Sequence, residues 1–390
     1  MKTVRFGVVG IGNIGTAHAT ALAQGKVIGG VLTAVCDIAA ERRDYATQQW
    51  HIPTFENYAE MLDSHLLDAV IISVPHPLHA DMAIAALQAG LHVLVEKPID
   101  ITVSKAAQLN AVAENSGKVF GVMFNQRTSP LFQKAKELLD GGMLGEMKRV
   151  SWTVTNWYRT QHYYDAGSWR ATWAGEGGGV LLNQAPHNLD IWQWLCGMPT
   201  AITAFCQQGR YHRIEVEDDV TIFARYANGA TGTFITSTGE YPGTNRLEIV
   251  GDKGKIVLED DTLKWWQLEC AEREFCFTCP TTVPETPVNY STYAPKDKGT
   301  AHIGILNNFT AAVLNGTPLL APGVDGIRAL TISNAAYLSA WTGKEVTIPF
   351  DADAFDSLLA KKAASSAFLS QKTDADTKYG TYSPRWQVNW

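Results

Sequence analysis

The sequence predicts an α/β chain of two units: a parallel sheet wound with helices over residues 1–124, then a mixed α+β unit, mostly antiparallel, over residues 125–390. Three observations predict it. The chain opens strand, turn, helix, strand, with Gly10-Ile11-Gly12-Asn13-Ile14-Gly15 as the turn. Up to Phe124, runs that are apolar throughout alternate with helix-like runs, the pattern of strands buried on both faces. Beyond it, runs rich in Thr, Val and aromatics follow one another across turn signals such as Asn228-Gly229, as antiparallel strands do. A length of 390 residues also favours two domains over one.

The first strand, Val4 to Val9, leads through the glycines into a helix from Thr16 to Gln24. Gly10 allows the tight turn, Gly12 lets backbone approach a pyrophosphate, and Gly15 lets helix and strand pack closely. The helix start then offers free N–H groups and a partial positive charge to phosphates. A second apolar run, Val31 to Cys36, ends on Asp37, 22 residues past Gly15, near the spacing at which a carboxylate meets ribose hydroxyls. The cofactor expected is therefore a dinucleotide, and NAD rather than NADP, because Asp37 repels a 2′-phosphate. Arg42 and Arg43 lie close behind; they read either as cations that soften that preference or as a solvated helix face.

Further strands are expected at Ile52–Phe55, Ala69–Val74, His92–Val95 and Val119–Phe124, with helices at Leu78–Ala89 and Val103–Ser116. In the second unit a helix is expected near Leu131–Leu139. Strands follow at Met147–Trp157, Ala201–Gln207, Val220–Tyr226, Ala230–Ser237, Arg246–Val250, Lys255–Leu258 and Thr262–Leu268. Helices at Ile303–Leu314 and Ile327–Thr342 come next, and the tail from Asp351 to Trp390 reads as a surface-hugging segment at a subunit contact.

Composition bounds the function. A hydrophobic fraction of 46% and charged fraction of 18% are those of an ordinary soluble protein. A net charge of −7 argues against a nucleic-acid or anionic-membrane partner. No apolar run approaches the ~18 residues of a membrane span, and the first strand starts too early for a signal peptide. Six cysteines dispersed over this length suit a reducing cytoplasm, with Cys276 and Cys279 read as strand residues rather than half of a zinc set.

Chemistry concentrates in two places. Glu96-Lys97-Pro98 ends a parallel strand, where open α/β sheets bind ligands. Gly175-Glu-Gly-Gly-Gly-Val-Leu-Leu-Asn-Gln-Ala-Pro-His-Asn-Leu-Asp190 leads into a helix that Pro186 must start. His187 then lies in a first turn, where the dipole disfavours imidazolium and a neutral general base results. Asp190 shares its helix face and is positioned to orient the ring; the plainer reading is a buried polar pair closing the helix start. With no third ligand nearby, no metal site is expected.

Gly10-x-Gly12-x-x-Gly15, Ser73-Val-Pro75-His76 with His79, Glu96-Lys97-Pro98, and Gly177-Gly-Gly-x-x-x-Asn183-x-x-x-His187-x-x-Asp190 together resemble the glucose-fructose oxidoreductase / inositol dehydrogenase / rhizopine-catabolism (Gfo/Idh/MocA) family. The resemblance spans nearly the whole chain. It implies an N-terminal Rossmann domain, a C-terminal mostly antiparallel open sheet, homodimers or homotetramers through that sheet, and NAD(P)-dependent oxidoreduction of sugars, polyols or related compounds. It also implies that Lys97, preceding a cis Pro98, and His187 are catalytic. Cofactor contacts are implied at Gly10 to Gly15, Asp37, Ser73, Pro75, His76, His79, Glu96, Lys97, Asn125, Trp169, Arg170 and Tyr337. Two positions depart from the family's commonest pattern: Asn183 stands where Asp is usual, and His76 where Asn is. Asn183 cannot take up a proton but can bind a hydroxyl, as in the branch with Asn-Gln-x-x-His that resembles levoglucosan dehydrogenase.

Arg127, Tyr158, Trp169 and Arg170 complete the expected substrate pocket with Asn183, since a sugar presents C–H faces to aromatics and hydroxyls to Arg and Asn. The function expected is a dehydrogenase for a sugar, glycoside, anhydrosugar or polyol hydroxyl. The alternatives are a keto-sugar or imine reductase running in reverse, and a non-catalytic dinucleotide-sensing regulator.

Overall fold

The computed structural model describes residues 2–167, 169–282 and 287–367. Strands β1 (Val4–Val9), β2 (Gly30–Cys36), β3 (Thr54–Phe55), β4 (Ala69–Ile72), β5 (His92–Val95) and β6 (Phe120–Val122) form a six-stranded sheet in the order 3-2-1-4-5-6, every pair parallel. The reason is visible in the residues. All of β4 is buried, as are Phe6, Val8, Val35, Val93 and Leu94, because helices cover both faces. Strand order reverses between β1 and β4, and there the carboxyl ends of both strands open into a crevice. Helix Val103–Ser116 shows how local chemistry sets the limits: Thr102 Oγ1 accepts from the Lys105 N–H at its start, and Gly117 ends it at φ +64°.

The second sheet has nine strands: β7 (Met147–Val154), β8 (Ala201–Gln208), β9 (Glu217–Arg225), β10 (Thr231–Ser237), β11 (Asn245–Gly251), β12 (Gly254–Glu259), β13 (Thr262–Leu268), β14 (Val288–Tyr293) and β15 (Val346–Thr347). Their order is 14-13-12-11-7-10-9-8-15, antiparallel except where β10 pairs with β7. Along β9, Val220, Ile222 and Ala224 are buried while Thr221, Phe223 and Arg225 are exposed. This period of two is that of a sheet covered on one face only. Helices Pro186–Cys196 and Gly326–Thr342 supply the cover.

Helix Ala301–Asn315, which follows the second sheet, returns to the first: Phe309 meets Phe6 at 6.1 Å between ring centroids, and Asn307 accepts from the Ile28 N–H. A break at residue 124 therefore separates the sheets but not the helices that cover them. Cys276 lies on the short helix Glu272–Thr278 rather than on a strand. The start of the tail is a helix, Ala352–Ala364, capped by Asp351, and residues 368–390 lie outside the described residues. Among the described residues no helix is long and apolar enough to cross a membrane.

Candidate active site

The glycine turn sits in the crevice between β1 and β4, at the start of helix Asn13–Ala23. A Cβ on Gly15 would lie 1.9 Å from the Gly10 carbonyl oxygen, so helix and turn meet too closely for any side chain. A Cβ on Gly12 would meet nothing within 4 Å, which leaves open space over the helix start. Asp37 ends β2 and holds the turn: Oδ2 accepts from the Ile11 N–H at 2.7 Å, and Oδ1 from the Ala39 N–H at 2.9 Å. Arg42 approaches the same carboxylate at 3.4 Å. Ser73, just past β4, has a buried hydroxyl without a hydrogen-bond partner among the described residues, as does the Asn125 side-chain oxygen past β6. Open space over a helix start, a carboxylate at the end of β2 and orphaned polar atoms along the crevice fit a dinucleotide running from Asp37 towards Asn125.

Lys97 lies two residues past the end of β5 and is joined to Pro98 by a cis peptide bond. Its ammonium donates at 2.6 Å to the backbone carbonyl of Asn183, so the two units are joined at this point. Burial lowers its pKa below the ordinary 10.5, against the pull of Glu96 and Glu176; Arg159 and Arg170 add to the lowering. His187 stands in the first turn of the helix that Pro186 begins, edge-on to Phe124 at 6.4 Å. Burial, and after it the charge of Lys97, hold its imidazole well below the ordinary 6.5, so it is neutral. Beneath them Glu96 meets His18 at 2.8 Å. Burial works to raise the Glu96 carboxyl, but the His18 contact and the charges of His18, His302 and Lys97 outweigh it and hold it at about 2.

On the other wall, the Trp169 ring meets His76 edge-on at 5.2 Å, and His76 Nδ1 donates to the Glu176 carbonyl at 3.2 Å. The guanidinium groups of Arg159 and Arg170 lie 5.1 and 5.0 Å from the Tyr163 ring centre. Lys97, His187, Asn183, Glu96, His76, Trp169 and Arg170 thus share one crevice. Arg159 belongs to it as well, as do Glu176, His18 and His302, which were not singled out from the sequence. For Glu176 the available signal was an acid inside a run of glycines.

Four expected residues are placed elsewhere. Arg127 is 1% exposed: it pairs with both oxygens of Asp190, at 2.9 and 2.7 Å, and with Asp325 and the Leu320 carbonyl. It therefore has no guanidinium face for a substrate, and Asp190 is engaged by Arg127 and Gln193 rather than orienting His187. Tyr158 turns outward, 42% exposed against Tyr241, while its neighbour Trp157 is buried and donates to Asn188. His79 spends both ring nitrogens on the Pro98 and Val74 carbonyls. Tyr337 is fully buried and donates to Glu217 at 2.7 Å, the carboxylate that also accepts from the Gly179 and Leu181 N–H groups. These two hold the loop ahead of Asn183 and do not line the crevice. Among the described residues no group of three or more His, Cys, Asp or Glu side chains is arranged to hold a metal ion.

The geometry agrees with comparisons to known proteins. Residues 4–124 match the family model for the oxidoreductase family with NAD-binding Rossmann fold, and residues 132–257 match the GFO/IDH/MocA C-terminal domain. The chain is 26% identical to inositol 2-dehydrogenase of Rhizobium meliloti, over 89% of this chain and 99% of that one. It is 27% identical to levoglucosan dehydrogenase of Pseudarthrobacter phenanthrenivorans, over 66% and 74%. Among solved structures, the WlbA dehydrogenase of Bordetella pertussis, in complex with NADH and UDP-GlcNAcA, matches with a TM-score of 0.75 at 26% identity, covering 90% of this chain and all of that one. The first unit is an NAD-binding Rossmann domain, and the chain is an oxidoreductase.

Replacing Asp37 with Ser tests the cofactor choice. The variant should lose the carboxylate that would accept from the ribose hydroxyls, weakening NADH about ten- to a hundredfold, as expected for a hydrogen bond to a charged group. NADPH should gain relative to NADH, because the repulsion is gone. Fluorescence titration reads both; an unmodified protein that holds NADPH as tightly as NADH would overturn the preference.

Proposed function

We propose that this chain, which belongs to the GFO/IDH/MocA oxidoreductase family, is an NAD-dependent dehydrogenase for a hydroxyl of a sugar, glycoside, anhydrosugar or polyol. The observation that carries the reading is the 2.6 Å bond from Lys97 to the Asn183 carbonyl, which brings the end of a parallel strand onto the chain leading into His187. NAD, when bound, supplies the acceptor for the hydride leaving the substrate carbon. His187, neutral through burial, takes the hydroxyl proton. Lys97, as ammonium, stabilises the alkoxide that forms as that proton leaves. Asn183 binds a neighbouring hydroxyl, and the guanidinium groups of Arg159 and Arg170, stacked on the Tyr163 and Trp169 rings, offer donors to further hydroxyls of the sugar.

The carbohydrate reading draws on the named relatives, an inositol and a levoglucosan dehydrogenase, together with that aromatic and basic lining. Screening the purified protein with NAD against sugars, anhydrosugars and inositols, with NADH absorbance as the signal, tests it. Turnover of at least one panel member is expected, and none with intact NADH binding would move the chain to the sensor reading. Asn183→Ala should mainly raise KM, about tenfold for one lost hydrogen bond, with kcat falling less; a loss confined to kcat would assign Asn183 a different role. The uncovered face of the large sheet, where Phe205 and Phe223 stand exposed, is the surface proposed for a homodimer or homotetramer contact.

A further inference from the structure

The glycine-rich segment carries one buried carboxylate that the proposed chemistry does not use. Glu176 is 1% exposed, between Gly175 and Gly177. Its Oε2 accepts from the Ala171 N–H at 2.6 Å, and its Oε1 accepts from the Asn183 side-chain amide. Its backbone carbonyl receives His76 at 3.2 Å, and its charge acts on Lys97. Ala171 sits at φ +59°, in the left-handed region that costs any residue with a Cβ, so the Trp169–Glu176 loop is closed onto this carboxylate against local preference.

We propose that Glu176 is a positioning residue that sets substrate specificity: its carboxylate takes the N–H of Ala171 and the NH₂ side of Asn183, and so presents Asn183 Oδ1 to the crevice as a fixed acceptor for a substrate hydroxyl. A carboxylate has no hydrogen to give, so only the donor side of the Asn183 amide can face it. The flip of that amide is thereby decided by chemistry, and its oxygen is left for the ligand. The same carboxylate holds the loop bearing Trp169 and Arg170, which couples the two walls of the crevice through one side chain. It also supplies the negative charge beside Lys97 that Asn183 cannot. The substrate class favoured has a hydroxyl donor on the carbon next to the one that is oxidised, and an analogue that is deoxy or O-methylated at this neighbouring position is rejected.

The inference rests on the dehydrogenase reading, and a reciprocal exchange tests the two separately. Glu176→Gln keeps the shape but must turn an NH₂ toward one of two donors, Ala171 N–H or the Asn183 amide. A ten- to hundredfold fall in kcat/KM is expected, about the worth of one hydrogen bond to a charged group. Discrimination against the deoxy analogue of the best substrate should narrow at the same time. Adding Asn183→Asp restores a carboxylate–amide pair with donor and acceptor exchanged, so the double variant should recover most of the loss while Asn183→Asp alone, with two carboxylates in contact, should not be benign. NADH affinity should change far less than kcat/KM throughout, since neither residue is itself assigned to the cofactor. Turnover by the parent with Glu176→Gln unimpaired, or with a double variant no better than Glu176→Gln, overturns the assignment. If the parent turns over no panel member, the dehydrogenase reading is what fails, and the exchange is then read in melting temperatures: recovery in the double variant supports the Glu176–Asn183 contact, and additive losses overturn it.

Discussion

Lys97→Ala and His187→Ala should each lower kcat/KM by about 10²–10⁴, the worth of a positioned proton-transfer group, while NADH still binds. The double variant should lose less than the product of the two, because groups that act on one hydroxyl fail together. Burial gives the pH dependence a sign at both ends. His187 must be unprotonated to accept the proton, and its basicity lies well below the ordinary 6.5, so the acid limb of kcat/KM should fall below that pH. Lys97 must be protonated to stabilise the alkoxide, and its pKa is lowered from 10.5, so activity should fall again before that value is reached. Lys97→Arg, whose guanidinium keeps its charge to far higher pH, should remove the alkaline limb even where it turns over slowly. A parent profile that climbs steadily from pH 7 to 10 would show that Lys97 acts as a neutral amine, and would reverse the roles given to the two residues. Near-normal turnover by both single variants would sink the dehydrogenase reading altogether.

How much of this was legible in the sequence depended on how local the cause was. The parallel strands declare themselves because burial on both faces leaves them apolar throughout, and Ala69 to Ile72 is buried to the last residue. Helix Val103–Ser116 was legible at both ends because Thr102 and Gly117 act on their own neighbours. The start of helix Pro186–Cys196 followed from proline alone. Partners far apart in the chain were not legible. Asp190 lies one turn from His187, which made an orienting pair the natural reading, yet it is taken by Arg127, 63 residues away. Glu176 looked like an interruption in a glycine run, because its partners Ala171 and Asn183 meet it only once the loop is folded. Strand β14, polar and exposed, lacks any buried face and so left no alternating pattern to read.

Arg127 is where the structure makes the sharpest departure from the sequence reading, and the expected result follows from burial. Arg127→Met should destabilise the protein by about 3–5 kcal/mol, the cost of leaving a buried partner charge without its counter-ion. Asp190 is fully buried, so its carboxylate would have to stay charged without a guanidinium or take up a proton on folding. Asp325, on the 3₁₀ turn before helix Gly326–Thr342, is partly exposed and can turn to water, so it adds less. The double variant Arg127→Met with Asp190→Leu should lose much less than Arg127→Met alone, since an apolar pair of similar volume often replaces a buried ion pair at little cost. Urea unfolding monitored by tryptophan fluorescence measures both, with the midpoint falling at unchanged slope. A pocket residue would behave otherwise: truncation would raise KM and leave the unfolding midpoint in place. The structure predicts the reverse for Arg127, because each of its hydrogen-bonding nitrogens already has a protein acceptor and 193 to 198 residues of chain separate it from two of them, Leu320 and Asp325. It ties the turn after β6 to the helix that begins at Pro186 and to the segment leading into helix Gly326–Thr342. The energy it contributes lies in holding the crevice walls together, where a sugar does not reach.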